Sequence, residues 1–357
     1  MTGIIFIGEI GKCPFINKYT DVLNRENVPF DIICWDKSPE LDRKPGDNVI
    51  SFRHKTKEQR HYLLKIKDFL LFGSFVKRVI FEKKYDKLII LTTLTGIFLY
   101  STIIKKYKGK YIFDYRDASY EYFTIFKYMV RRIIKNSCFT CISSQGFKEI
   151  LPKDYEYIVS HNFKYSDLDR KVLSFEKKSK NDKIVVSYIG ILRDSSYLKL
   201  LIDIFKDDER FVLNINGGGD NYHEISEYSR NCSNIICTGS YNEAEKMMFL
   251  KQADLLCYNY PCSYNNNIAL ANKYYDGLIY KKPLLCNPDT YSGRLVKDNE
   301  VGISLDFSDT DFKDKLYDYY HCLCAEKYVN TAEELLQQVI EEDEIYMRHI
   351  LAFVRKD

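Results

Sequence analysis

The chain is 357 residues long, enough for two domains that each bury a core of their own. Its 53 lysines and arginines nearly cancel its 50 acids, and the net charge of +3 gives no electrostatic signal for a nucleic-acid partner. No apolar run approaches the ~20 residues that span a bilayer, and no basic segment precedes the first apolar stretch, so a cytoplasmic protein is expected. The 11 cysteines are scattered and odd in number, which fits free thiols in a reducing compartment. A lone CxxC, Cys138 to Cys141, has no second ligand pair and reads as part of a buried strand, so no metal is expected.

In chain order, short β-branched and aromatic runs alternate with longer amphipathic stretches. Residues 3–8, 30–35, 87–92, 110–115, 138–142 and 156–160 are predicted strands, short enough to be buried and parallel. Helices are predicted near 14–26, 57–83, 95–107, 120–136 and 143–150. The alternation pauses at a polar, lysine-rich stretch and restarts with strands at 184–190, 211–216, 234–239, 253–260, 282–287 and 302–307. Helices are predicted between them at 195–206, 222–230, 242–251, 268–280 and 289–297, and the last fifty or so residues carry a helical period. This is an α/β pattern of two parallel, doubly wound sheets. The expected division is 1–165, a linker at 166–182, a second domain at 183–335, and a C-terminal helix at 336–357 that packs back on the first domain. Ligands of such sheets bind beyond the carboxyl ends of the strands, so chemistry is sought there.

Four stretches qualify. Gly8 and Gly11 (GEIG) follow the first strand, where glycine permits a close approach to a phosphate or a sugar, although an ordinary βα turn would look the same. Asp114, Arg116 and Asp117 (DYRD) end a strand and read as a ligand-facing charge cluster or as a structural Arg–Asp pair at a helix start. Gly217, Gly218 and Gly219 end another strand, where successive backbone N–H groups cradle a phosphate. Lys273 and Asp276 share a helix face after an Asn-rich loop containing Asn265, Asn266 and Asn267. A lysine there neutralises a diphosphate and a carboxylate accepts bonds from ribose hydroxyls, although the same pair could be a surface ion pair.

The run TGSYNEAEKMMFLKQADLLCYNYP (238–261), then NKYYDGLIYKKPLLCN (272–287), then VGISL (301–305) resembles the C-terminal half of glycosyltransferase family 4, which has the GT-B fold. DYRD, SSQGF (143–147) and His161-Asn162 are similar to the capsule and O-antigen transferases of that group. The resemblance implies two Rossmann-like domains with parallel sheets facing an interdomain cleft. It implies transfer of a sugar from a nucleotide-diphosphate sugar to a glycan or lipid-linked glycan, with retention and with no metal or other cofactor.

By this resemblance Asp276 holds the donor ribose, seven residues before Pro283. Gly190, Gly217 to Gly219 and Asn267 contact the donor, and Arg193 and Lys273 stabilise the departing diphosphate. Asp117 orients or deprotonates the acceptor hydroxyl, with Gly8, Gly11, Asp114 and Arg116 on the acceptor side. The sequence departs from the family in having no acid at Asn265 to Asn267, Ile191 where an Arg often stands, and Lys281 where many members have Gly. The missing acid keeps open a non-catalytic nucleotide-sugar-binding partner of another transferase, and a UDP-sugar epimerase of GT-B fold is a further alternative. No dinucleotide fingerprint supports a dehydrogenase. Residues 60–84 are basic, aromatic and apolar, which suits either a core helix or a peripheral helix on the inner face of the cell membrane.

Overall fold

A computed structural model describes residues 1–37, 48–55 and 62–356, without the side chains of Lys12, Tyr62 and Leu63. Arg60 and His61, at the start of the basic-apolar stretch, lie outside the described residues. The chain forms two compact units, Met1–His161 with Glu341–Asp357, and Asn162–Ile340.

The first unit is built on seven parallel strands: β1 (Thr2–Phe6), β2 (Phe30–Asp36), β3 (Val49–Arg53), β4 (Lys87–Leu91), β5 (Tyr111–Tyr115), β6 (Phe139–Ile142) and β7 (Ile158–Val159). Their order is β3-β2-β1-β4-β5-β6-β7, with β1 inside the sheet between β2 and β4 and Ile4 aligned on both Ile32 and Ile89. A strand covered on both faces has no polar side, and this is why GIIF and KLIIL read as unbroken apolar runs. The edge strand β3 escaped the sequence reading. It is partly exposed along most of its length and carries Ser51 and Arg53, so no continuous apolar run marks it.

The second unit has six parallel strands: β8 (Ile184–Ile189), β9 (Phe211–Asn216), β10 (Ile235–Cys237), β11 (Leu255–Tyr258), β12 (Leu284–Cys286) and β13 (Gly302–Ser304). Their order, β10-β9-β8-β11-β12-β13, likewise puts the unit's first strand third, inside the sheet. The segment 166–182 lies inside this unit. Phe175 packs on Tyr320 and Tyr328, and the Val172 N–H donates to the Ile279 carbonyl at 3.0 Å.

The helix expected from 268 begins only at Asn272. Side chains of the Asn-rich loop bond their own backbone instead. Asn267 Oδ1 accepts from Ser263 N (3.1 Å), Ser263 Oγ accepts from Asn266 N (3.0 Å), and Asn266 Nδ2 donates to the Pro261 carbonyl (2.9 Å). Such local bonds compete with helix formation. The last helix is one piece, Ala325–Arg355. Its first half gives Tyr328, Ala332 and Leu336 to the second unit's core, and its last turns give Tyr346, Ile350 and Phe353 to the first.

Candidate functional site

In the second unit, the loops after β8, β9 and β10 close on one another at the carboxyl ends of their strands. Gly190 N donates to Asn216 O and Leu192 N to Gly218 O, both at 2.9 Å. A Cβ on Gly217 would sit 1.8 Å from the Gly190 carbonyl oxygen, and one on Gly218 would sit 2.0 Å from Ser240 Oγ. Glycine is therefore required for these loops to meet. Gly190 itself has φ +151° and Gly219 φ +129°, conformations that side chains resist.

Lys273 comes into this corner from the helix Asn272–Ile279, whose start is fixed by Ala271 N donating to the Tyr258 hydroxyl at 2.5 Å. The lysine is only 5% exposed. Its Nζ donates to Tyr260 Oη at 2.8 Å and lies 3.8 Å from the Tyr188 ring centroid and 4.5 Å from that of Tyr260. A Cβ on Gly190 would lie 3.4 Å from the same Nζ. Among the described residues no carboxylate reaches this ammonium within ion-pair distance. Burial works against its charge, but Tyr260 and Tyr188 outweigh that and hold it above the ordinary lysine value. Burial pushes the Tyr188 phenol up to about 12, so Tyr188 offers a neutral ring face at neutral pH.

One turn on, Asp276 is buried and pairs with Lys246 Nζ at 2.9 Å. Burial raises its carboxyl above the ordinary range and Lys246 opposes that shift. Lys246 is held in place by a complete capping box at the start of its helix, Glu243–Gln252. Asn242 Oδ1 accepts from Glu245 N (3.0 Å), and Glu245 Oε2 accepts from Asn242 N (2.7 Å). Arg193 is exposed on the loop after β8, where its carbonyl accepts from Asn221 Nδ2 at 2.7 Å. Asn267 is half-buried and closes its own loop. Lys273, Asp276, Gly190 and Gly217 to Gly219 are thus gathered at one end of one sheet. Tyr188, Tyr260 and Lys246 join them there without having been singled out in the sequence. Two are tyrosines in a chain with 30 of them, and the third is a lysine on a charged helix.

In the first unit the DYRD cluster turns inward. Asp114 is fully buried and accepts from Tyr19 Oη (2.8 Å) and Arg116 Nε (3.0 Å). Arg116 is 6% exposed, donates to Ser160 Oγ at 2.6 Å and stacks 3.8 Å over the Phe15 ring. Glu121 accepts from Tyr115 Oη and from Ser119 N, both at 2.6 Å, and pins the loop that follows. Asp114 and Arg116 thus engage each other, Tyr19 and Ser160, while Asp114 Oδ1 and Arg116 Nη1 are buried without a hydrogen-bond partner among the described residues. Asp117 alone of the motif is exposed, and its carbonyl accepts from Thr93 Oγ1 at 2.9 Å. Gly8 is buried, and a Cβ there would lie 2.8 Å from the Phe6 ring, so its glycine answers to packing; Gly11 is exposed in a short 3-10 turn.

Long-range polar contacts surround this cluster. Lys18 Nζ donates to Asp343 Oδ1 (2.6 Å) and to the His161 carbonyl (2.8 Å), and His161 Nε2 lies 2.8 Å from Glu342 Oε2. Gln145 Nε2 donates to the same Glu342 at 3.3 Å, so SSQGF and His161 meet at the C-terminal helix. Cys138 is exposed while Cys141 is buried against Tyr19, so the CxxC pair does not share one surface.

No protein-family model matches the chain, and no curated protein matches it by sequence. Solved structures do match in three dimensions. Sucrose-phosphate synthase of Thermosynechococcus elongatus superimposes with a TM-score of 0.70 over 98% of this chain and 99% of its own, at 11% identity. The lipopolysaccharide outer core galactosyltransferase WaaB gives 0.64 over 99% and 98%, at 14% identity. HepE of Anabaena, solved with UDP and glucose, gives 0.65 over 98% of each chain, at 11% identity. The fold is GT-B. At these identities the likeness is one of fold, spread over essentially the whole of both chains.

Proposed function

We propose that the chain is a glycosyltransferase that takes its sugar from a nucleotide-diphosphate sugar bound by the second unit. The observation that carries this reading is Lys273: a buried ammonium, held by two tyrosines, with no carboxylate of the described residues in reach and a glycine loop beside it. A buried cation without a counter-charge is costly, and an anionic ligand removes that cost. A diphosphate suits the site, since the Gly190 and Gly217 to Gly219 turns pack on one another beside the Lys273 ammonium and leave room for close backbone approach. The structural likeness to a galactosyltransferase and to a protein solved with UDP and glucose supports the same reading.

In this mechanism loss of the nucleoside diphosphate dominates the barrier, and Lys273, Arg193 and the Gly217 to Gly219 loop stabilise the charge as it develops. Asp276 binds the ribose, and its pairing with Lys246 at 2.9 Å opposes the upward push of burial on its carboxyl. The acceptor is a glycan or lipid-linked glycan of a cell-surface polysaccharide, recognised by the first unit, with Asp117 as the group that orients its hydroxyl. Transfer proceeds with retention and without a metal.

A thermal-shift series with UDP, GDP, ADP and their sugars tests the donor. Ligand bound to the folded state raises the melting temperature by mass action, so one nucleotide should stand out from the rest. Lys273→Met should erase that response while the protein remains folded. A flat response to every nucleotide would refute the proposal.

A further inference from the structure

The strand β13 is an edge of the second sheet and pairs only with β12. A cleft of about 560 Å³ opens against it, a size that takes a small ligand. The other walls come from the ends of helices Tyr291–Asp298 and Phe312–Cys322 and from the start of the last helix, Ala325–Arg355. Neither Lys273 nor the tyrosines that hold it line this cleft, so it is a separate place in the same unit.

Tyr319 and Tyr328 are part of its wall, and neither hydroxyl has a hydrogen-bond partner among the described residues. Tyr328 is 2% exposed, and its phenol lies close enough to that of Tyr319 for a charge on one to repel a charge on the other. Burial raises both phenols, so both remain protonated donors at neutral pH. An orphan buried donor is costly, and an acceptor held in the cleft removes that cost.

Charge and apolar surface narrow the class of acceptor. Lys327 pairs with Glu300, while Lys297 is exposed and has no ion-pair partner among the described residues. The cleft thus carries one cation more than it has acids, and Ile303 and Leu323 give it an apolar side. A single cation matches a single negative charge, two neighbouring hydroxyls match the two oxygens of a carboxylate, and the apolar side matches a hydrocarbon body.

We infer that this cleft binds a small monocarboxylate with an apolar body, its oxygens taking the Tyr319 and Tyr328 hydroxyls and its charge facing Lys297. The inference stands whether or not Lys273 binds a nucleotide. Two cysteines of the wall, Cys322 and Cys324, are exposed free thiols and report occupancy, while Cys138 and Cys262 are exposed elsewhere and serve as controls. The test is alkylation of the full chain by iodoacetamide in acetate, butyrate or hexanoate, read at each cysteine by mass spectrometry. At about four times its dissociation constant, hexanoate should slow Cys322 and Cys324 about fivefold by mass action and leave the controls unchanged. The concentration needed should fall about fourfold for each methylene added from acetate to hexanoate. Hexanol, which lacks the charge, and inorganic phosphate, which lacks the apolar body, should not protect at the same concentration. Lys297→Met and Tyr328→Phe should each weaken protection about tenfold. Tyr328→Phe should melt at the parent temperature or above, since it removes an orphan donor, which separates lost binding from lost folding. No slowing by hexanoate, slowing that spreads equally to the controls, or slowing that both variants leave intact overturns the proposal. Equal protection by phosphate overturns it in favour of a general anion site, and equal protection by hexanol in favour of an apolar one.

Discussion

The Lys273 ammonium donates to the Tyr260 hydroxyl at 2.8 Å and sits 3.8 Å over the ring of Tyr188. Both tyrosines come from strand ends, Tyr188 within β8 and Tyr260 just past β11, so the sheet itself sets where the charge lies. This arrangement leaves the cation oriented and, among the described residues, without a carboxylate partner.

Removing the hydroxyl alone should separate orientation from charge. Tyr260→Phe keeps the ring and loses the hydrogen bond, which is worth about 1–2 kcal/mol to a charged donor, so nucleotide affinity should fall roughly tenfold. Lys273→Met should abolish binding and leave the melting temperature equal or higher, since a buried charge without a counter-ion is replaced by an apolar chain of similar length. Isothermal titration with the nucleotide picked out by thermal shift measures both effects.

Gly217 is where two loops depend on one missing methyl. With a Cβ placed 1.8 Å from the Gly190 carbonyl, Gly217→Ala forces the β8 and β9 loops apart. It should cost about 1–3 kcal/mol of stability in urea unfolding and weaken nucleotide binding as well. Gly109→Ala is the comparison: its φ of +71° is strained, but a Cβ there meets nothing within 4 Å, so binding should be untouched.

The buried Lys18–Asp343 pair ties the C-terminal helix to the first unit, with side chains 9% and 0% exposed. Asp343→Ala leaves a buried ammonium without its partner and should cost about 3–5 kcal/mol. Lys18→Met with Asp343→Leu should recover most of that loss. A double-mutant cycle by urea denaturation gives the coupling.

Glu342 supplies a pH test. Its hydrogen bond with His161 holds its carboxyl below the ordinary range in the folded state. The contribution is therefore complete above the unfolded value of about 4.3 and fades as pH falls through the lower folded value. The stability difference between the parent and Glu342→Gln should be present at neutral pH and shrink steadily once the pH drops below about 4. A difference that grows on acidification would count against the assignment.

Strands such as β1 and β4 were legible because a strand covered on both faces must be apolar throughout. The edge strand β3 was not, because one side of it meets solvent. Lys273 and Asp276 were legible as neighbours three apart on a helix, and the glycines after β9 as a turn. Partners were harder. DYRD looked the same whether its charges met a ligand or each other, and the hydroxyl that Asp114 accepts from belongs to Tyr19, 95 residues away.

The sequence by itself determined the alternation of strand and helix, the two sheets, and the glycine and lysine positions at the strand ends, because each of these is a local requirement of backbone or burial. Only the tertiary structure decided which charges pair. It gave Lys246 to Asp276, Asp343 to Lys18 and two tyrosines to Lys273, contacts whose members lie 30, 325, 13 and 85 residues apart. An ion pair or a cation over a ring is chosen by proximity in space, and no spacing along the chain encodes it.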